Sequence, residues 1–341
     1  MKALVYHEPK RLQWEDVPEP RVKDDQLLVS MRAVGICGSD LHGYLGITGR
    51  RIPPMIMGHE FSGVVMETGK KVTRFSVGDR ICVQPIQFCG TCEFCKAGLQ
   101  NICPNKMILG VMDINGAMAE MVAVNETNAF PLPDNVSFVA GSMVEPFSVA
   151  HSAIKQAPSL ENMDVAIIGM GTIGLCILQF VKMNGAKKIY VSDMSEKRLD
   201  TAATFGADVL INPKKGDASE KVLRQSGQRG VDICFEAVGE SVTARQSIEM
   251  TKIKGHVIWV GNSAREIEID MQKVVTTELN IQGIYGFTSE TFKETLSIIN
   301  RGLLLPQKIV SIEEHVSNGA EVFETMLSGK DRYIKAILTN K

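Results

Sequence analysis

The stretch "DVAIIGMGTIG" at residues 164–174 constrains the fold of this chain more strongly than any other. An apolar strand, Val165–Ile168, leads into Gly169, Gly171 and Gly174 in the order G-x-G-x-x-G, and a helical pattern follows. In this context the first glycine permits a tight turn, the second lets a phosphate approach the backbone, and the third lets the helix pack on the strand. The stretch therefore predicts the start of a doubly wound α/β domain with a parallel sheet that binds a dinucleotide.

The residues after this turn favour NAD as the dinucleotide. A second strand is predicted at Lys188–Ser192, and Asp193 stands at its end, nineteen residues after Gly174. A carboxylate at this place accepts the ribose hydroxyls and repels a 2′-phosphate. Lys197 and Arg198 follow closely, so NADP remains the alternative.

The chain before residue 146 has a different pattern. Its short β-like runs are separated by Gly, Pro and Asp, which predicts an irregular and mostly antiparallel β domain. These runs are Gln26–Arg32, Phe61–Met66, Arg80–Val83 and Ala119–Val124. Beyond about Gly283, "SETFKETLSIINRG" predicts a helix and "YIKAILTN" a last strand, which either extend the α/β domain or return to the β domain.

Composition bears on the partners of the chain. Its 341 residues suffice for two domains, and a net charge of −2 gives no electrostatic reason to expect nucleic acid or an anionic membrane. The uncharged run Val165–Val181 contains glycines and falls short of the roughly 20 apolar residues of a membrane span. The first twenty residues carry charges and no apolar run of signal-peptide length. We therefore expect a cytoplasmic protein without a membrane or nucleic-acid partner.

Four of the eight cysteines are close together in "CGTCEFCKAGLQNIC". Cys89, Cys92, Cys95 and Cys103 are separated by two, two and seven residues. Four thiolates on one compact loop are typical of a closed, tetrahedral structural zinc site. An iron–sulfur cluster is the alternative, but ferredoxins place three residues before the last cysteine.

A second metal site is predicted from two separate stretches. Cys37 lies in "ICGSDLHGYLG", and His59 and Glu60 lie in "MGHEFSGVV". A thiolate, an imidazole and a carboxylate form a plausible catalytic zinc set with one open position, although His59 alone is also compatible with an ordinary core residue. Glu145 in "SMVEPFSVAH" is a further carboxylate, or else a helix cap.

The segments "GICGSDLH", "GHEFSGVV", the four-cysteine stretch and "GMGTIG", in this order, resemble the zinc-containing medium-chain dehydrogenase/reductase family over essentially the whole chain. The segment "EPFSVAH" is similar to the sorbitol dehydrogenase-like polyol branch, where a glutamate replaces the third protein ligand of alcohol dehydrogenases. The resemblance implies a β-rich, GroES-like catalytic domain (residues 1–146 and 284–341), split by a Rossmann NAD-binding domain (residues 147–283). It also implies a cleft between the domains for a small-molecule secondary alcohol or ketone, and a homodimer or homotetramer.

The resemblance further implies roles for single residues. Cys37 and His59 become ligands of the catalytic Zn²⁺, and which of Glu60 and Glu145 binds it directly stays open. Asp40 would orient His59, as metal-bound imidazoles usually require. Ser39 would take the proton of the substrate hydroxyl and His42 would pass it towards solvent, while a hydride goes to the nicotinamide. The expected cofactor contacts are Gly169, Gly171, Thr172, Ile173, Gly174, Asp193, Arg198, Val260, Gly261, Ile284 and Tyr285.

The chain departs from the polyol branch where the substrate binds. Sorbitol dehydrogenases have an Arg-Tyr pair in the stretch that here reads "GIYGFTSETF", with Gly286 and Phe287, and a tyrosine directly after the relay histidine, where Gly43 stands here. "IQGIYG" resembles L-threonine 3-dehydrogenase, which however has Asp-Pro in place of Glu145-Pro146. We predict a secondary alcohol of the polyol or sugar-derivative class.

Other substrates and functions stay as alternatives. Threonine, a vicinal diol or a non-catalytic nucleotide-binding role are compatible with parts of the pattern. A phosphorylated substrate is also open, because Arg50 and Arg51 are able to form a phosphate site, or are solvated loop charges.

Overall fold

The computed structural model describes residues 1–329 and 332–340, and it divides into two compact units. Unit 1 contains Met1–Glu145 and Phe287–Lys341, and unit 2 contains Pro146–Gly286. The chain leaves unit 1 one residue earlier, and returns to it three residues later, than the boundaries expected from the sequence. Of the predicted catalytic domain, residues 330, 331 and 341 lie outside this description.

The N-terminal part of unit 1 consists of short strands, because glycines, prolines and polar turns interrupt its apolar runs. Its strands and α-helices in chain order are β1 (Lys2–Glu8), β2 (Arg11–Asp16), β3 (Gln26–Gly35), α1 (Gly38–Tyr44), β4 (Met55–Ile56), β5 (Glu60–Thr68), β6 (Arg80–Val83), β7 (Ile86–Gln87), α2 (Glu93–Lys96), β8 (Met107–Ile108), β9 (Met121–Asn125), β10 (Ala129–Pro131) and α3 (Phe138–Ser142). Two 3-10 helices cover Gln100–Ile102 and Glu126–Asn128.

Strands and helices alternate in the next part of the chain. In order they are α4 (Val144–Gln156), β11 (Asp164–Ile168), α5 (Thr172–Met183), β12 (Lys188–Ser192), α6 (Glu196–Thr204), β13 (Val209–Ile211), α7 (Ala218–Gln225), β14 (Val231–Glu236), α8 (Ser241–Glu249), β15 (Thr251–Trp259), α9 (Met271–Thr276) and β16 (Asn280–Gly283), with a 3-10 helix at Pro213–Lys215. The boundary between the units falls inside α4.

The parallel sheet of unit 2 has the strand order β13-β12-β11-β14-β15-β16. This is the order 3-2-1-4-5-6 of a Rossmann domain, so the predicted fold class is confirmed. All residues of β11 are buried, as expected for a central parallel strand covered on both faces. The strand order reverses between β11 and β14, and ligands of such sheets bind where the strands end at this point.

The chain end supplies α10 (Ser289–Asn300), β17 (Val310–His315), α11 (Gly319–Ser328) and β18 (Lys335–Thr339), with 3-10 helices at Pro306–Lys308 and Val316–Asn318. Strand β18 pairs antiparallel with β3, with Ile337 opposite Gly35, and parallel with β17. The main sheet of unit 1 therefore runs β10-β6-β5-β3-β18-β17, and β9 also pairs with β3. The final strand thus lies beside the strand that leads to Cys37.

Apolar side chains from the sheets of unit 1 form its core. Phe61, Val65, Ile81 and Leu338 are almost fully buried in one cluster. Within residues 1–329 and 332–340, no helix is both long enough and apolar enough to cross a membrane. The uncharged run Val165–Val181 is divided between β11 and α5.

Candidate active site

Pairing of β3 with β5 brings Cys37, His59 and Glu60 together. Gly35, at the end of β3, lies opposite Glu60, the first residue of β5. Cys37 follows β3 and precedes α1, while His59 directly precedes β5. The potential ligand atoms of these three residues all lie within 4.8 Å of one another. His59 and Glu60 are buried, whereas Cys37 is half-buried.

Asp40 lies behind His59, as the resemblance implies. Its Oδ1 is 3.4 Å from His59 Nδ1, and its Oδ2 accepts a hydrogen bond of 3.0 Å from the backbone N–H of Cys37. Burial opposes ionisation of Asp40, but the charges of His59 and Arg51 outweigh it and hold the pKa of this carboxyl well below its usual range. Because Nδ1 faces Asp40, the other ring nitrogen of His59 is left for a metal.

Burial alone would lower the pKa of His59, but the Asp40 carboxylate raises that pKa well above its ordinary value. A metal ion that binds this imidazole must therefore displace a proton. The donor set of thiol, imidazole and carboxylate in a buried, closely spaced cluster fits zinc.

Both sequence-based interpretations of Arg51 are wrong. Arg51 is not a solvated loop charge, and its guanidinium is not free for a phosphate, because the side chain is 1% exposed. Its Nη2 lies 2.6 Å from Asp40 Oδ1 and donates a hydrogen bond of 3.1 Å to Ser39 Oγ. A buried carboxylate needs a compensating cation, and Arg51 supplies it. The adjacent Arg50 is exposed.

Lys335, a residue that the sequence did not suggest, lies on the other side of the cluster. It is 1% exposed on β18, and its Nζ donates to the carbonyl oxygen of Ile36 at 3.0 Å and to Glu60 Oε2. Burial alone would lower the pKa of Lys335, but Glu60 raises it. A single lysine inside the apolar run "YIKAILTN" is the signal by which a buried cation could have been found.

Gly35 makes this ion pair possible. A Cβ at position 35 would overlap Glu60 Oε2 and lie 2.9 Å from Lys335 Cε. Strand β3 therefore needs a residue without a side chain at position 35.

Glu145 is close to the cluster but does not belong to the three residues whose ligand atoms lie within 4.8 Å of one another. It occupies the first turn of α4 and is buried. Burial raises the pKa of Glu145 to about 8, although the charge of His59 opposes this. Glu60 is thus the carboxylate inside the cluster, and Glu145 is a second one whose ionisation is opposed by burial.

The proposed proton relay lies on α1. Ser39 and His42 are both half-buried and stand three residues apart, on the same face of this helix. Tyr44, the tyrosine displaced by one position, is buried, and its hydroxyl lies within hydrogen-bond distance of both the carbonyl oxygen of Lys10 and the carboxylate of Glu324.

The four cysteines of the second predicted site converge. Their sulfur atoms lie within 4.8 Å of one another, with separations of 3.5 Å for Cys89 and Cys103 and 3.9 Å for Cys92 and Cys103. Thiolates about 2.3 Å from a tetrahedral zinc ion are about 3.8 Å apart, so the cluster fits this metal. Backbone N–H groups of Thr91 and Cys92 lower the pKa of Cys89 to about 5, whereas burial raises the pKa of Cys95 to about 12, so a metal ion bound here must displace a proton from Cys95.

The glycine turn of unit 2 leaves space for a phosphate group. Gly169 has φ +91°, and a Cβ there would lie 2.5 Å from Val238 Cγ2. A Cβ at Gly174 would overlap the carbonyl oxygen of Gly169, whereas one at Gly171 would meet nothing within 4 Å. Helix α5 starts with Thr172 and Ile173, and its N-cap Gly171 provides no capping side chain. The amino end of α5 therefore fits a pyrophosphate.

Asp193 lies beside this turn at the end of β12. Its Oδ2 accepts a hydrogen bond of 2.7 Å from the backbone N–H of Met170, and its Oδ1 one of 2.9 Å from Ser195. Arg198 Nη1 is 3.6 Å from the same Oδ2. The carboxylate is thus held in place next to the glycine turn, with a cation close to it.

The remaining predicted cofactor contacts follow the carboxyl ends of neighbouring strands. The backbone N–H groups of Val260 and Gly261 donate to the carbonyl oxygen of Glu236 at 2.8 and 3.1 Å. The backbone N–H of Ile284 donates to the carbonyl oxygen of Trp259 at 3.0 Å, and Tyr285 is the next residue. The Glu236 side chain, which the sequence analysis missed, accepts hydrogen bonds of 2.8 Å from Val238 and Gly239. Its carboxylate therefore fixes the segment that packs against Gly169.

Comparison with known proteins agrees with this arrangement. The family profile described as "Alcohol dehydrogenase GroES-like domain" matches residues 23–134, and that described as "Zinc-binding dehydrogenase" matches residues 172–301. Sorbitol dehydrogenase of Bacillus subtilis (strain 168) is 31% identical over 99% of this chain and 97% of the relative. The chain belongs to the zinc-containing medium-chain dehydrogenase/reductase family.

Other members of this family are similar to the same degree. L-threonine 3-dehydrogenase of Rhizobium etli (strain ATCC 51251) is 32% identical, with 96% of both chains covered. The crystal structure of 2R,3R-butanediol dehydrogenase from Bacillus subtilis superposes with a TM-score of 0.90 at 31% identity, over 100% of this chain and 99% of the other. The predictions of family, of its polyol branch and of an NAD(P)-dependent zinc oxidoreductase that acts on the CH–OH group of small-molecule alcohols are confirmed.

Proposed function

We propose that this dehydrogenase oxidises a secondary alcohol of the polyol class with NAD, at a catalytic zinc site formed by Cys37, His59 and Glu60. The observation that carries the proposal is the approach of a thiol, an imidazole and a carboxylate to within 4.8 Å of one another. Zinc bound there would act as a Lewis acid on the alcohol oxygen, and the nicotinamide of NAD would accept the hydride. The four-cysteine cluster would hold a structural zinc ion.

The residues around the cluster have separate tasks in this proposal. Asp40 orients His59, and the Lys335 cation holds Glu60 in its buried position. Ser39 accepts the proton of the substrate hydroxyl, and His42 passes a proton towards solvent. Their spacing on one face of α1 supports this relay.

The cofactor site would use the turn of unit 2. The backbone N–H groups at Gly171, Thr172 and Ile173 bind the pyrophosphate, and Asp193 accepts the ribose hydroxyls. The position of Asp193 beside the turn supports NAD, while Arg198, 3.6 Å from its carboxylate, keeps NADP as the alternative.

A polyol or diol is preferred to threonine as the substrate. The relatives include a sorbitol dehydrogenase and a butanediol dehydrogenase as well as an L-threonine 3-dehydrogenase, so the preference depends on the pair Glu145-Pro146, which is that of the polyol branch. Glu145 is buried near the cluster, and burial favours its protonated form, which is able to donate a hydrogen bond to a second hydroxyl.

A substrate panel tests the proposal. The zinc-loaded protein is incubated with sorbitol, a sorbitol phosphate, (R,R)-butane-2,3-diol or L-threonine, each with NAD and NADP, and reduced nicotinamide is followed by absorbance. We expect a polyol or the diol to be turned over with NAD. Turnover of threonine alone would contradict the substrate class, and no turnover at all would contradict the function.

Metal analysis is the control for the two sites. We expect about two zinc ions per chain, and about one in Cys37→Ala, which is also expected to be inactive. Cys176→Ala changes a buried cysteine outside both clusters and is expected to keep both ions. Two ions in Cys37→Ala would contradict the proposed catalytic site.

The cellular setting and assembly are part of the same proposal. None of the eight cysteines forms a disulfide bond in this structure, which supports a reducing compartment such as the cytoplasm. The proposed homodimer or homotetramer is tested by size-exclusion chromatography with light scattering, where a monomer would contradict it.

A further inference from the structure

Arg51 makes contacts that the proposed mechanism does not use. A single nitrogen, Nη2, lies 2.6 Å from Asp40 Oδ1 and donates to Ser39 Oγ at 3.1 Å. The side chain is 1% exposed, so it is screened from solvent. One buried guanidinium nitrogen therefore joins the carboxylate that faces His59 to the hydroxyl that starts the proposed proton relay.

Gly43 makes room for this side chain. A Cβ at position 43 would overlap Arg51 Cδ and lie 2.6 Å from Arg51 Nε. A larger residue at position 43 and a buried Arg51 thus exclude each other. This accounts for the glycine that stands directly after His42, where sorbitol dehydrogenases have a tyrosine.

The contact with Ser39 restricts the direction of its hydroxyl group. An arginine side chain only donates hydrogen bonds, whereas a serine hydroxyl has one proton and two acceptor lone pairs. Since Arg51 occupies one lone pair of Ser39 Oγ, the Ser39 proton points away from Arg51. The second lone pair is left for the substrate hydroxyl, and the proton is left for His42.

We propose that Arg51 is a positioning residue that sets the direction of proton transfer through Ser39, an inference that rests on the relay proposed above. During oxidation the substrate O–H bond breaks and its proton bonds to Ser39 Oγ. At the same time the Ser39 O–H bond breaks and that proton bonds to a ring nitrogen of His42. Bound NAD would take the hydride that is released when the carbinol C–H bond breaks, so the step needs no further reactant.

A double-mutant cycle of Ser39→Ala and Arg51→Met tests whether Arg51 acts through Ser39. The four zinc-loaded proteins are assayed with NAD and the best substrate of the panel, and zinc content, unfolding temperature and the solvent deuterium isotope effect on kcat are measured. Arg51→Met alone is expected to lower kcat about 10- to 100-fold and to increase the isotope effect, with little change in KM. In the Ser39→Ala background the same substitution is expected to change kcat less than about twofold.

Three further variants separate positioning from folding. Arg51→Lys keeps the charge beside Asp40 and is expected to recover most of kcat. Gly43→Ala displaces Arg51 without removing its charge, and it is expected to lower kcat only when Ser39 is present. Arg11→Met, at an exposed arginine that pairs with Glu8, is expected to leave kcat unchanged.

The outcomes distinguish this inference from the function on which it rests. Equal losses of kcat in both backgrounds, or a loss that follows zinc content or unfolding temperature alone, would overturn the role of Arg51. Full activity of Arg51→Met together with an inactive Ser39→Ala would also overturn it and leave the relay intact. A wild-type protein that turns over no compound of the panel would overturn both.

Discussion

Lys335 and Glu60 are 275 positions apart in the chain and form a buried ion pair, with side chains that are 1% and 2% exposed. The pairing of β18 with β3 brings the lysine to this place. The last strand of the protein therefore supplies the cation that pairs with the buried carboxylate of Glu60.

Replacing Lys335 is expected to destabilise the fold. Lys335→Met leaves Glu60 as a buried charge without its partner, which costs about 3–5 kcal/mol of unfolding free energy. The measurement is urea denaturation of protein whose catalytic zinc has been removed with a chelator. The double variant Glu60→Gln/Lys335→Met is the control and is expected to recover most of the loss. Equal stability of the wild type and Lys335→Met would show that the pair does not stabilise the fold.

A methyl group at position 35 is expected to disrupt the same ion pair. The Cβ of Gly35→Ala would overlap Glu60 Oε2, so the carboxylate must move away from Lys335. We expect a lower unfolding temperature and weaker retention of the catalytic zinc in competition with a chelator. Gly38→Ala is the matched control, because a Cβ at Gly38 meets nothing within 4 Å. Similar behaviour of the two variants would contradict this steric argument.

The sequence predicted those parts of the protein that depend on local patterns. The glycine turn with its flanking strands follows from spacing and apolar periodicity alone, as does the cysteine cluster. The two cations beside the Cys37, His59 and Glu60 cluster, Lys335 and Arg51, do not follow from local patterns. Lys335 comes from a strand near the chain end, and Arg51 comes from a glycine- and proline-rich loop in which a charge is usually solvated. Their roles depend on long-range packing, which brings a buried carboxylate to each of them.

Gly171 and Gly174 are expected to respond differently to the same substitution. A Cβ at Gly171 points into the open space before α5, so Gly171→Ala is expected to fold normally but to bind NADH at least about tenfold more weakly, roughly 1.4 kcal/mol. A Cβ at Gly174 overlaps the carbonyl oxygen of Gly169, so Gly174→Ala is expected to lower the unfolding temperature. Fluorescence titration with NADH and thermal unfolding measure the two effects. Unchanged NADH affinity in Gly171→Ala would contradict phosphate binding at this turn.

The buried carboxyl of Glu145 is expected to make the stability of the protein depend on pH. Its pKa rises from an ordinary value of 4.5 to about 8 in the folded protein, mainly because it is buried. Between these values the folded state keeps a proton that the unfolded chain loses. The contribution of Glu145 to the unfolding free energy is therefore fully present below about pH 4.5. It falls by about 1.4 kcal/mol per pH unit as pH rises towards 8.

Glu145→Gln isolates this contribution, because the amide resembles the protonated carboxyl and does not titrate. The unfolding free energy of both proteins is measured in urea between about pH 5 and 6.5, after removal of the catalytic zinc. Most of this window lies below the ordinary pKa of histidine, and the slope that the raised pKa of His59 adds near pH 6.5 is common to both proteins. We expect the wild type to lose stability with rising pH and the variant to lose much less, so that Glu145→Gln becomes the more stable protein near neutral pH. Parallel curves for the two proteins would mean that Glu145 is ionised in the folded state, and its proposed hydrogen bond to a substrate hydroxyl would then lack a donor.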